Sequence, residues 1–75
     1  MNRIITKHEL LNWSNEQISE MTKGRFVRIV LSNGEIKEVT IKNLLAASNP
    51  PHPFCGFITT DNKTISLLGI DHVEL

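Results

Sequence analysis

The chain has 75 residues, eight of them basic and eight acidic, and carries no net charge. A chain of this length is a single domain, residues 1–75, with a small core, because it buries only about 60% of the surface that its unfolded form exposes. Zero net charge argues against a strongly electrostatic partner, one cysteine rules out an internal disulfide, and no run approaches the roughly 20 apolar residues of a membrane helix.

A small secreted domain would normally need disulfide staples, so the lone Cys55 points to a reducing, cytoplasmic compartment. The opening residues "MNRIITKHELLN" hold no apolar core of signal-peptide length. Charge is slightly uneven along the chain. Residues 1–42 carry seven Lys/Arg against five Asp/Glu, and residues 43–75 carry one Lys against three acids.

Residues 1–22 read as a helical segment. Thr6-Lys7-His8-Glu9 fits a capping box, with Ile5 and Leu10 placed to staple across it. Ser14-Asn15-Glu16-Gln17 is a second such start, so the segment is two short helices or one that bends near Ser14. Leu10, Leu11, Trp13, Ile18 and Met21 form a broad apolar stripe for packing. Gly24 ends the segment as a residue suited to a left-handed helix terminus.

From residue 25 the period changes to two, and residues 25–75 predict a small barrel. "RFVRIVL" alternates Val27, Ile29 and Leu31 against Phe26, Arg28 and Val30. Asn33-Gly34 predicts a hairpin with a type I′ turn. "EIKEVTI" is the return strand, with Ile36 on the face opposite Val39 and Ile41, which a bulge or twist would reconcile. "KNLLAAS" fits either an extension of that strand or one turn of helix. "NPPHP" interrupts the chain, since residues before proline are pushed to extended conformations. "FCGFITT", a turn at Asp61-Asn62, "KTISLLGI" and "HVEL" complete the pattern, with Gly56 marking a bend or a close backbone approach. The expected fold is mainly β: a small, partly closed antiparallel barrel of four to five strands with an N-terminal helical segment.

Two stretches carry a family resemblance over roughly residues 15–75. Gly24, Val27, Ile29, Leu31 and Gly34 stand at the spacing of the first motif of the Sm-like small-barrel family, and Ile65, Leu67, Gly69, Ile70 and Val73 follow its second. The chain is similar in the same two places to small bacterial regulatory proteins that bind and inhibit the Rho terminator, and SH3-like barrels share most of these features. The resemblance implies the barrel. It does not bring the RNA site with it. The polar pair that holds a base in RNA-binding Sm proteins is replaced by "KNLLAASNPP", where only Asn43 is suitable, and the basic residue before the second-motif glycine is Leu68.

Candidate sites follow from residue type. His52, Cys55 and His72, with Asp71, are the ligand types of a transition-metal site, but His52-x-x-Cys55 has no matching second pair in sequence, so no metal or other cofactor is expected. The same histidine and thiol have no room for an oxyanion hole and a substrate cleft, so neither an enzyme nor a small-molecule substrate is expected. Lys23, Arg25 and Arg28 with Phe26 between them are the only basic cluster and the candidate RNA-binding residues. Trp13, Phe54 and Phe57 are the candidate protein-binding residues, as an anchor on the helical segment and an apolar knob on a stiff loop. The leading expectation is a non-enzymatic regulatory or interaction module, cytoplasmic and not membrane-bound, that binds a protein partner or itself. RNA binding is the alternative.

Overall fold

A computed structural model describes residues 3–75. The chain runs β1 (Ile4–Thr6), α1 (Lys7–Asn12), α2 (Asn15–Thr22), β2 (Phe26–Leu31), β3 (Ile36–Ala46), β4 (Phe54–Thr59), β5 (Thr64–Ser66), a 3₁₀ turn (Leu67–Gly69) and β6 (Ile70–Glu74). All pairings are antiparallel, in the order β1-β6-β2-β3-β4-β5. The outermost strands β1 and β5 do not pair with each other, so this mainly β fold is a partly closed barrel. Each edge strand has three residues, which limits the backbone left open to another chain.

Six strands stand where the sequence predicts four to five, and the additional one lies inside the expected helical segment 1–22. Ile4, Ile5 and Thr6 pair with Glu74, Val73 and His72 at the far end of the chain. The part of that expected segment before residue 3 lies outside the described residues. Thr6 then closes the strand and opens the helix. Its hydroxyl accepts from Glu9 N–H at 3.2 Å, and the Glu9 carboxylate accepts from Thr6 N–H at 3.1 Å. Ser14 caps α2 by accepting from Gln17 N–H, after Trp13 has left the helical conformation. The helical segment is therefore two helices meeting at a corner.

Three turns use positive φ. Gly24 (φ 79°) follows Lys23 in a turn closed by Arg25 N–H onto the Thr22 carbonyl, the type II arrangement that needs glycine at its third position. The Asn33-Gly34 hairpin is not type I′, because only Gly34 has positive φ. Gly34 N–H bonds to the Leu31 carbonyl and Leu31 N–H to that of Glu35, a type I turn with a glycine bulge. Asn62 (φ 64°) repeats this geometry between β4 and β5. Beside it, the Thr59 hydroxyl bonds the Asp61 carboxylate and holds that carboxyl below its ordinary range.

The eleven-residue β3 includes the ambiguous "KNLLA" as strand and joins the two halves of the barrel. Its first part pairs with β2 and its second with β4, with register shifts between Ile41 and Asn43 and between Leu45 and Ala46. These bulges bend the strand around the core. No bulge returns Ile36 inward. It sits opposite Val30 in unbroken register and is 56% exposed.

Every element supplies the core. Ile5, Leu10 and Ile18 enter from β1 and the helices, Val27, Ile29 and Ile41 from β2 and β3, Phe54, Phe57 and Ile65 from β4 and β5, and Leu67, Ile70 and Val73 from the last turn and strand. Among the described residues no helix is long and apolar enough to cross a membrane.

Gly56 is the tightest point. A Cβ there would collide with the backbone oxygen of Ile65. The absent side chain is what lets β5 close onto β4. Gly56→Ala is expected to destabilise the fold by about 3 kcal/mol or more, because a rigid strand backbone must move. Urea denaturation of both proteins reads this directly, and a cost under about 1 kcal/mol would show that the two strands can separate there freely.

Candidate functional site

The helix corner and the proline loop face each other across a cleft of about 320 Å³. Leu11 and Trp13 form one wall and Pro51 and Pro53 the other, over a floor of Leu10, Phe54 and Leu67. Ser14, Asn15 and His52 add polar groups at the rim.

Local chemistry sets each wall. Leu10 and Leu11 are consecutive on α1, so they cannot share a face. Leu10 is buried, and Leu11 is left 62% exposed. Trp13 stands at the break between helices, half-buried against the core, with the Arg3 guanidinium 5.3 Å from its ring centroid. Arg3 also pairs with Glu9 at 3.7 Å, which helps fix it beside the indole.

The opposite wall is tied at four points. His52 N–H donates to the Asn49 carbonyl, and Ala47 N–H to that of Pro53. The His52 ring nitrogen Nδ1 lies 3.0 Å from the Ala47 carbonyl and donates to it, since a carbonyl oxygen only accepts. Asn15 donates its side-chain amide to the His52 carbonyl at 2.8 Å, linking the loop to the start of α2. His52 accepts a left-handed backbone (φ 58°) within this network.

Two of the three candidate protein-binding residues therefore meet: Trp13 in the wall and Phe54 in the floor. Phe57 does not. It is fully buried, packed edge-on against Phe54 with ring centroids 5.0 Å apart, and has no surface to present. Both rings point inward because Gly56 and the register shift opposite it break the alternation of β4. Leu11 and the loop prolines complete the cleft. The adjacent leucines were the sequence signal for Leu11, while nothing local tells that residues 15 and 52 touch.

The metal candidates are dispersed. Cys55 Sγ turns to the Pro53 carbonyl and His52 to Ala47, whereas His72 lies on β6 between Asp71 and Glu74. Among the described residues no three His, Cys, Asp or Glu side chains converge as a ligand set.

The candidate RNA-binding residues Lys23, Arg25, Phe26 and Arg28 are all exposed. Phe26 is 64% exposed on the outer face of β2. Arg28 is shared between Glu74 at 3.6 Å and Glu38 at 3.9 Å, so its charge is locally balanced. Asn43 spends its side-chain oxygen on the backbone N–H of Leu44.

No family model, curated protein or solved structure matches the chain.

Core and wall are separable by mutation. Phe57→Ala should cost about 3–5 kcal/mol, and Leu11→Ala should stay within about 0.5 kcal/mol of the parent. Thermal or urea melts of the pair check this, and equal costs would mean that Leu11 is part of the core.

Proposed function

We propose that the chain is a small, non-enzymatic regulatory or interaction module that binds a protein partner in the cleft between the helix corner and the proline loop. The observation that carries this reading is the convergence there of an exposed leucine, a half-buried tryptophan and two prolines over an apolar floor. A space of about 320 Å³ is at the low end for a ligand pocket and suits one or two apolar side chains of a partner. The walls are ordered before binding, so little freedom is lost when the cleft fills. A reducing, cytoplasmic setting fits the free thiol of Cys55. Kinship with Sm-like or SH3-like barrels belongs to the same proposal. It is supported by four strands joined as consecutive hairpins, β2 to β5, with β6 returning beside β2.

RNA binding at Lys23, Arg25, Phe26 and Arg28 has less support. With Arg28 shared between two glutamates, two cations beside one aromatic ring remain. A groove that tracks a phosphate backbone needs more positive charge than that.

Trp13 is the sole tryptophan, so its emission reports on the cleft. Peptides selected from a displayed random library on the immobilised protein should shift that emission and should lose at least about tenfold in affinity against Leu11→Glu. A selection that yields no binder, or binders indifferent to Leu11→Glu and silent in Trp13 emission, overturns the reading. Single-stranded RNA that binds at low salt with a steep negative salt slope, and is lost in the Lys23→Ala/Arg25→Ala double variant, would replace it with the alternative.

A further inference from the structure

His72 has both ring nitrogens on carboxylates. Nδ1 lies 2.8 Å from Asp71 Oδ2, and Nε2 lies 3.1 Å from Glu74 Oε2. Ionised carboxylates only accept hydrogen bonds, so the two contacts together require the doubly protonated ring. Glu74 is shared in turn. Its other oxygen, Oε1, lies 3.6 Å from Arg28 Nη1, and Arg28 Nη2 lies 3.9 Å from Glu38 Oε2. The register sets Glu74, Arg28 and Glu38 side by side on β6, β2 and β3. These groups form one line of alternating charge across the outer face of the sheet, with His72 at its end.

The other surroundings of His72 include one cation, Lys7, and one further histidine, His8. Thr6 on β1 and Val30 on β2 are its cross-strand neighbours. From α1, Lys7 and His8 share a shallow cleft with Asp71 and His72, and the Lys7 ammonium is directed at the Leu68 carbonyl. Among the described residues, Asp71 has no ion-pair partner besides His72, whereas Glu74 has Arg28 as well.

We propose that the proton on His72 sets the ion pairing of the outer face: its loss releases Glu74 to Arg28 and draws Arg28 away from Glu38. A neutral imidazole keeps one N–H. The Asp71 contact is the shorter, and Asp71 has no alternative partner, so Nδ1–H stays and Nε2 gives its proton to solvent. The Nε2 lone pair then faces the Glu74 carboxylate, which is repulsive. Glu74 moves toward the cation it already approaches, and the better that pair becomes, the less Arg28 can reach Glu38. One proton on β6 is thereby felt on β3.

The direction in pH follows from the two carboxylates. Asp71 first, then Glu74, hold the His72 proton above the ordinary value of 6.5. The stabilisation they provide is complete below the unfolded-state value and is lost as pH rises through the higher folded-state value. The rearrangement therefore falls above pH 6.5.

NMR titration from about pH 5 to about pH 9 tests the relay, following the rings of His72 and His8, the Arg28 Nε–H and the side-chain carboxyl carbons of Glu38 and Glu74. The His72 midpoint is expected above 6.5, with Arg28 and Glu38 inflecting at that same midpoint. In Glu74→Gln the His72 midpoint should fall and the inflections of Arg28 and Glu38 should vanish. Arg28 and Glu38 signals that stay flat through the His72 titration, that follow His8 instead, or a His72 midpoint at or below 6.5, overturn the proposal. The wild-type titration decides this even if the variant fails to fold.

Discussion

The aromatic pair on β4 is the constraint on which the rest depends. Phe57 is the largest fully buried side chain, and its ring meets that of Phe54 edge-on. A buried phenylalanine removes about 150–250 Å² from water, which at about 25 cal/mol per Å² is several kcal/mol in a domain with few other large side chains. Its strand depends on Gly56, where the absence of a side chain lets the backbone of β5 close onto β4, and the register shift at Cys55 turns both rings inward. The same pair also ties the core to the surface, since Phe54 is at once core residue and cleft floor. The cleft thus has a floor that cannot move unless the barrel moves.

What was legible in the sequence was mostly local. Thr6-x-x-Glu9 and Ser14-x-x-Gln17 are capping signals resolved within one turn, and the period-two pattern of β2 states which of its side chains point inward. β1 was hidden because a strand of three residues has no period to display and owes its state to a partner about 70 residues away. The Asn33-Gly34 turn was legible as a hairpin but not as a type, because asparagine there adopts ordinary negative φ and uses its side-chain oxygen to accept from Glu35 N–H. Phe57 was misplaced by reading it with Phe54 as one apolar knob on the proline loop, where a glycine and a register shift turn both rings into the core. Trp13 and Phe54 stood out by residue type, but their meeting across 41 positions of chain comes from packing on a shared core, which no spacing rule encodes.

The two faces of the molecule follow different physics. At the helix corner, apolar walls are held by backbone hydrogen bonds, the Asn15 amide, the His52 ring and a stacked guanidinium. On the outer sheet, charged side chains alternate across three strands, and each is only partly withdrawn from water. Exposed ion pairs of this kind add little stability and are weakened by salt. Their importance lies in being exchangeable. Arg28, which the sequence presents as a cation open to a nucleic acid, is already engaged by the chain's own carboxylates.

The pairing of β1 with β6 also has a kinetic consequence. Ile5 is completely buried, yet its hydrogen-bonding partner is Val73, and the Leu75 N–H reaches back to the Arg3 carbonyl. During synthesis the first strand must wait for the last, while the β2–β5 hairpins can form one after another as they emerge. Contacts between such distant residues slow folding, because the intervening loop must be closed before any reward is gained. Loop-closure cost alone would order assembly as hairpins first, β6 against β2 next, and β1 last, as a latch between the helix corner and the far edge of the barrel.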